Sequence, residues 1–213
     1  MKKISIKFVL GLAVAGLTAS TQATLITFDD LPDSPPGLQI PNDYNGFGWG
    51  NFFELDGVNI NAYYGIAASG YANGVVSPNN VAYNFNGNTA YISSYASSTF
   101  TLASGYFTGA FNNNLSLEVE GWNGATLLYD QTYTLNVTGP SFISMNMNNI
   151  TEATFSSFGG VNAGLNYGSG TQFVLDNLTI TPVPEPSAWV LLCALGVLAY
   201  AVFRTSTLTA KNL

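Results

Sequence analysis

Glu118 and Glu120 stand two residues apart in the run Leu115-Ser-Leu-Glu-Val-Glu120. On a strand, that spacing puts both carboxylates on one side, about 7 Å apart. A glycosidase needs an acid and a second carboxylate about 5 to 10 Å apart, so carboxylate hydrolysis is the one catalytic chemistry open to these residues. The rest of the chain closes the other routes. From Thr24 to Pro184 there is no Lys, Arg or His, and the single cysteine is Cys193. Neither a Ser-His-Asp nor a Cys-His arrangement can be built there, and zinc sites of His and Cys are equally excluded. Any alternating strand with two acids shows the Glu118–Glu120 spacing. The chain therefore reads as a non-enzyme, with a carboxylate glycoside hydrolase as an alternative.

Binding chemistry has more to work with. The stretch Pro41-Asn-Asp-Tyr-Asn-Gly-Phe-Gly-Trp-Gly-Asn-Phe-Phe53 mixes aromatic rings with Asn, Asp and Gly. Rings such as Tyr44 and Trp49 could stack on sugars while Asn and Asp supply hydrogen bonds. The same rings could instead fill a core, since aromatics dominate core burial. Trp122 lies in Gly121-Trp-Asn-Gly124, which reads as a turn and makes it the better candidate for an exposed sugar-binding ring.

The charges sit unevenly. All five basic residues lie near the ends, at Lys2, Lys3, Lys7, Arg204 and Lys211, whereas only Glu185 of the twelve acids lies outside the body of the chain. Nucleic acid is excluded as a partner, because phosphate binding needs Lys or Arg to displace counterions. Lys2, Lys3 and Lys7 followed by an apolar run from Phe8 to Leu17 read as a signal peptide over residues 1–23, cut by signal peptidase after Thr21-Gln22-Ala23. At the other end, Ala188 to Phe203 holds 16 residues without a charge. As a helix it is about 24 Å long, enough for a single transmembrane helix over 188–203 with local thinning of the bilayer. Trp189 and Tyr200 stand where interface anchors belong, and Arg204 stops transfer and fixes the tail on the cytoplasmic side.

Prolines 182, 184 and 186 precede that segment, and proline neither donates to a ladder nor lets its predecessor coil. An extended, accessible stretch just outside the membrane follows. Val183-Pro184-Glu185-Pro186-Ser187, the single span and Arg204 together resemble the PEP-CTERM sorting signal of Gram-negative bacteria, over residues 182–213. The resemblance implies recognition by exosortase at an inner-membrane intermediate, then release or transfer to the cell surface or extracellular matrix, in association with exopolysaccharide and biofilm. The chain departs from the family in having one Arg rather than a cluster, followed by Thr205 to Leu213.

Residues 24–181 carry short alternating runs between turn residues, and no sustained 3.6-residue period. Expected strands are Thr24–Asp29, Asn51–Leu55, Val58–Tyr63, Val81–Phe85, Ser98–Leu102, Leu115–Glu120, Thr126–Tyr129, Thr132–Val137, Phe142–Met147, Glu152–Phe158 and Phe173–Ile180, with Asp56-Gly57 as a hairpin turn. The fold class is all-β, an antiparallel β-sandwich or jelly roll, flanked by the signal-peptide helix and the transmembrane helix. Phe28-Asp29-Asp30-Leu31 and Phe173-Val-Leu-Asp-Asn-Leu178 also resemble the lectin-like or carbohydrate-binding-module-like sandwiches common among PEP-CTERM proteins. That resemblance implies polysaccharide as a partner, and a structural calcium shared by an early carboxylate and a late Asp. Asp29, Asp30 and Asp176 have no cation to pair with, so calcium would neutralise them if they meet; otherwise they are solvated or cap turns. The functional expectation is a secreted, non-catalytic surface or matrix protein, with a carbohydrate-binding lectin as the alternative.

Overall fold

The computed structural model describes residues 22–33, 37–95, 98–165 and 168–183, together with Gly196. The signal peptide falls outside these but for its last two residues, as do the transmembrane helix and the sorting motif from Pro184 onward; Val183 is described and exposed. Among the described residues no helix is long and apolar enough to cross a membrane.

Among the described residues fourteen strands follow one another: β1 Thr24–Ile26, β2 Leu38–Gln39, β3 Phe47–Gly50, β4 Phe52–Asp56, β5 Asn80–Asn84, β6 Ala90–Ser94, β7 Phe100–Gly109, β8 Asn112–Asn113, β9 Leu115–Asn123, β10 Thr126–Leu135, β11 Ser141–Ile150, β12 Glu152–Phe158, β13 Val161–Asn162 and β14 Phe173–Pro182. Two short helices, α1 Ile60–Tyr64 and α2 Gly70–Asn73, interrupt them between β4 and β5. The larger sheet runs β11-β7-β14-β5-β4-β2, with β1 paired to β14 beside β5; the smaller runs β10-β9-β12-β6-β3, and β8 pairs with β13. Every pairing is antiparallel. The all-β antiparallel sandwich is the architecture expected from the alternating runs.

Alternation explains the packing. In β9, Leu115, Leu117 and Val119 are fully buried, while Ser116, Glu118 and Glu120 between them are half-buried on the other side. The inward residues of both sheets form one core, with Phe52, Phe100, Phe107, Phe155 and Phe173 among its largest buried rings. Phe52 meets Phe155 and Phe173 edge-on at 5.5 and 6.0 Å, the offset geometry that the ring quadrupole favours.

The larger sheet has a second core on its other face. Leu55, Tyr71, Val81, Tyr83, Phe111 and Val174 gather there under α1 and α2. This is where the sequence expectation fails. Val58–Tyr63 was expected as the return strand of a hairpin, but β4 pairs with β5 instead and the chain after Asp56 coils. The Asp56 carboxylate causes the change: it accepts from the Asn59 amide at 2.9 Å and from Asn59 Nδ2 at 2.7 Å. The Asp56 side chain thereby closes a turn onto Asn59, the residue that precedes α1, in place of a hairpin. Other differences are that β7 runs on to Gly109, the two runs from Thr126 and Thr132 are one strand, and β3 and β6, not expected from the sequence, join the smaller sheet.

Candidate functional site

Among the described residues, no other element covers the outer face of the smaller sheet. The register of β10, β9, β12, β6 and β3 sets out its rows. Leu127, Trp122, Glu152, Ser93 and Gly48 stand side by side across the sheet; Asp130, Glu120, Thr154, Tyr91 and Gly50 form the next row. Glu118 follows, opposite Thr132 and Ser156. Residues at alternate positions share a face, so these side chains all project away from the core.

Two aromatic rings bracket the polar groups. Tyr91 is 44% exposed. Its ring lies across Gly50, where an added Cβ would sit 2.0 Å from Tyr91 Cε1. Only glycine leaves room for the ring to lie down on the strand. Trp122 is half-buried and donates its Nε1 to Glu120 Oε2 at 3.3 Å, and the Thr154 hydroxyl donates to the same oxygen at 3.1 Å. Beside them a shallow cleft of about 380 Å³ is lined by Ser93, Ser94, Asn123, Gly124, Thr151 and Glu152. Its floor is stitched by backbone: Ser94 donates its amide to Thr151 O at 2.9 Å, and Thr151 donates to Trp122 O at 2.7 Å. The arrangement offers flat apolar surface, carboxylates and hydroxyls on a rigid sheet, which suits a hydroxyl-rich ligand laid across the strands.

The structure redistributes the sequence candidates. Trp122 is on the open face, but in strand β9 rather than in a turn; the turn is Gly124-Ala125. Trp49 is 1% exposed and packs edge-on against Phe28 and Phe52 at 5.8 and 5.4 Å. It is a core residue and cannot stack on a sugar. Its Nε1 donates to Tyr44 O at 2.9 Å. Tyr44 packs over Trp49 at the edge of that core, and its hydroxyl donates to Asp30 Oδ1 at 2.5 Å. Burial and the Asp30 carboxylate push the Tyr44 phenol well above its usual range. Tyr91 was missed, because Ala90–Ser94 is too short and serine-rich to stand out as a strand; its alternation of Ala, Tyr, Ile and Ser was the available signal.

Asp29, Asp30 and Asp176 do not come together as a metal site, and among the described residues no three Asp, Glu, His or Cys side chains do. Asp29 Oδ1 accepts from the Asn80 amide at 3.1 Å. Asp176 lies on β14 opposite Tyr106, on the helix-covered side of the larger sheet with Val174. Its carboxylate is fully buried and takes four donors: the amides of Val76, Ser77 and Asn177 at 2.6, 2.9 and 2.6 Å, and the Ser77 hydroxyl at 3.2 Å. Burial raises its pKa against the pull of those donors. Neutral protein groups have taken the place assigned to calcium.

No protein-family model and no curated protein matches the chain. Among solved structures it is similar to a DUF4465 family protein of Bacteroides caccae, at 10% identity and a TM-score of 0.46, with 78% of this chain and 88% of that one covered. It is similar to a DUF4465 family protein of Bacteroides ovatus at 13% identity and a TM-score of 0.48, covering 76% and 99%. It is also similar to TmCBM61, solved in complex with beta-1,4-galactotriose, at 9% identity and a TM-score of 0.34, covering 68% and 97%.

Proposed function

We propose that the sandwich is a non-catalytic module that binds polysaccharide across the open face of its smaller sheet, and that the protein is exported and sorted to the cell surface or extracellular matrix. One observation carries the binding half. Trp122 and Tyr91 bracket Glu120, Thr154, Glu152 and Ser93 on a sheet face that no described element covers. The apolar faces of pyranose rings stack on such rings, and ring hydroxyls bond to the carboxylates and hydroxyls between them. The export half rests on the order of signals in the sequence: Lys2 to Ala23, then the Val183–Ser187 motif, the apolar span and Arg204. Signal peptidase and exosortase are the processing partners in this reading, and exopolysaccharide is the surrounding in which the module works.

Affinity electrophoresis of the protein through gels cast with a panel of soluble polysaccharides tests the binding half. Retardation by at least one neutral polymer is expected, and Trp122→Ala should abolish it without unfolding the sandwich. Unchanged mobility across the panel would refute it. Intact mass of the protein recovered from envelope and medium tests the export half: a species running from near Thr24 to near Pro186 is expected, and one retaining residues 188–213 would leave a permanent anchor instead.

A further inference from the structure

Glu54 is 1% exposed, yet neither of its carboxylate oxygens has a hydrogen-bond partner. Asn80 is fully buried, and its Oδ1 is likewise unpartnered. Its Nδ2 is occupied, donating to Leu31 O at 3.0 Å and to Phe28 O at 3.3 Å, so the orphaned oxygen is held in a fixed direction. The register joins the two residues. Asp56 pairs with Asn80 and Glu54 with Ala82, so Glu54, Asp56, Asn80 and Ala82 share one face of the β4–β5 ladder. Glu54 and Asn80 are diagonal neighbours there, with Cβ atoms roughly 7 Å apart, and the residue opposite Glu54 is the small Ala82. The charges of Asp33 and Asp56 are near enough to act on Glu54.

A buried ionised carboxylate without donors costs several kcal/mol unless a cation joins it or it takes up a proton. The described residues can supply no cation, because no Lys, Arg or His occurs between Thr24 and Pro184. We propose that Glu54 and Asn80, with Asp56 beside them, form a binding site for a divalent cation of the calcium type at this end of the sandwich. All the available donors are hard oxygens, carboxylate and amide carbonyl, which select calcium over softer metals. Their irregular spacing on two strands suits calcium's loose geometry better than magnesium's strict octahedron. The ion would tie the segment carrying Phe28, Leu31 and Asp33 to β4 and β5. This location differs from the Asp29–Asp30–Asp176 set that the sequence suggested.

Equilibrium dialysis of the full chain in detergent micelles against calcium chloride tests the site. About one calcium per chain, bound with a dissociation constant in the millimolar range or tighter, is expected. Glu54→Gln should weaken it roughly tenfold or more, and Asp30→Asn should leave it unchanged. If Glu54→Gln does not fold, Glu54→Asp, one methylene shorter, should still show the weakening. In a parallel melt, calcium should raise the Tm of the unaltered protein above its value in chelator. No binding at several millimolar calcium would overturn the proposal. So would Glu54 variants that bind as tightly as the parent, or binding lost in Asp30→Asn.

Discussion

Asp176 and Glu54 are both buried carboxylates of the larger sheet, one on β14 and one on β4. Asp176 is met by four donors from Val76, Ser77 and Asn177, and a strand irregularity at Asn177 helps bring them in: the β14–β7 register shifts after Asp176, and Asn177 sits at φ 50°. Asparagine tolerates that left-handed conformation better than most residues, and the resulting bulge lets Leu175 and Leu178 both reach the sandwich core. Neither Glu54 oxygen has a hydrogen-bond partner, though the Leu38 amide lies nearby. The difference separates two uses of buried charge. One carboxylate is a structural clasp that pins the Val76–Ser77 crossing onto the sheet. The other is an unsatisfied group held in place by its strand, as a site for something absent from the chain would be.

The sharpest break in that comparison is Asp176→Ala. It leaves the buried donors of Val76 and Ser77 without an acceptor, and charge-assisted hydrogen bonds are the strong ones. A loss of about 3 to 4 kcal/mol is expected in urea unfolding. A loss under about 1 kcal/mol would mean that water satisfies those donors and the clasp is not one.

Glu54→Gln should act in the opposite direction, and its effect should depend on pH. Burial pushes the Glu54 carboxyl up from 4.5 to about 7, with the charges of Asp33 and Asp56 adding to the shift and the nearby Leu38 amide opposing it. The folded state then holds more protons than the unfolded state between those values, so stability falls as pH rises from about 4.5 to about 7 and levels off above. Tyr83, itself raised to about 12 by burial, stays neutral throughout this window. In calcium-free buffer Glu54→Gln should match the parent near pH 5 and exceed it by on the order of 1 to 2 kcal/mol at pH 8. Parallel stability curves for the two proteins across that range would show that Glu54 carries no buried charge.

How legible this was in the sequence varied with how local the cause was. Leu115 to Glu120 alternates cleanly, and its strand and its two faces came out as read, because period-2 patterning is a property of the run itself. Asp56-Gly57 failed as a hairpin because Asp serves several kinds of turn, and here its carboxylate closes onto the amide and side chain of Asn59 just before α1. Trp49 and Trp122 looked alike in their Gly- and Asn-rich surroundings. What buries the first is Phe28 from one loop and Phe52 from the next strand, and what leaves the second open is that no described element lies over the smaller sheet. The three aspartates were plausible partners by charge alone. They meet different partners instead, the Asn80 amide, the Tyr44 hydroxyl and the Val76–Ser77 segment, and that depends on strand order, which no short stretch encodes.

Glu120 extends the comparison to a third carboxylate, one on an open face, and predicts the smallest effect. Its Oε2 accepts from Trp122 Nε1 and the Thr154 hydroxyl, and a glutamine in its place keeps an acceptor oxygen for both. The side chain is half-buried, so water can serve whatever the amide does not. Glu120→Gln should therefore change unfolding free energy by no more than about 0.5 kcal/mol. Retardation in polysaccharide gels should weaken by contrast, since the amide is a poorer acceptor for sugar hydroxyls than the carboxylate. A stability loss comparable to that of Asp176→Ala would make Glu120 a second clasp. The face would then be a structural surface held shut by its own hydrogen bonds, and the proposed binding site would fall with it.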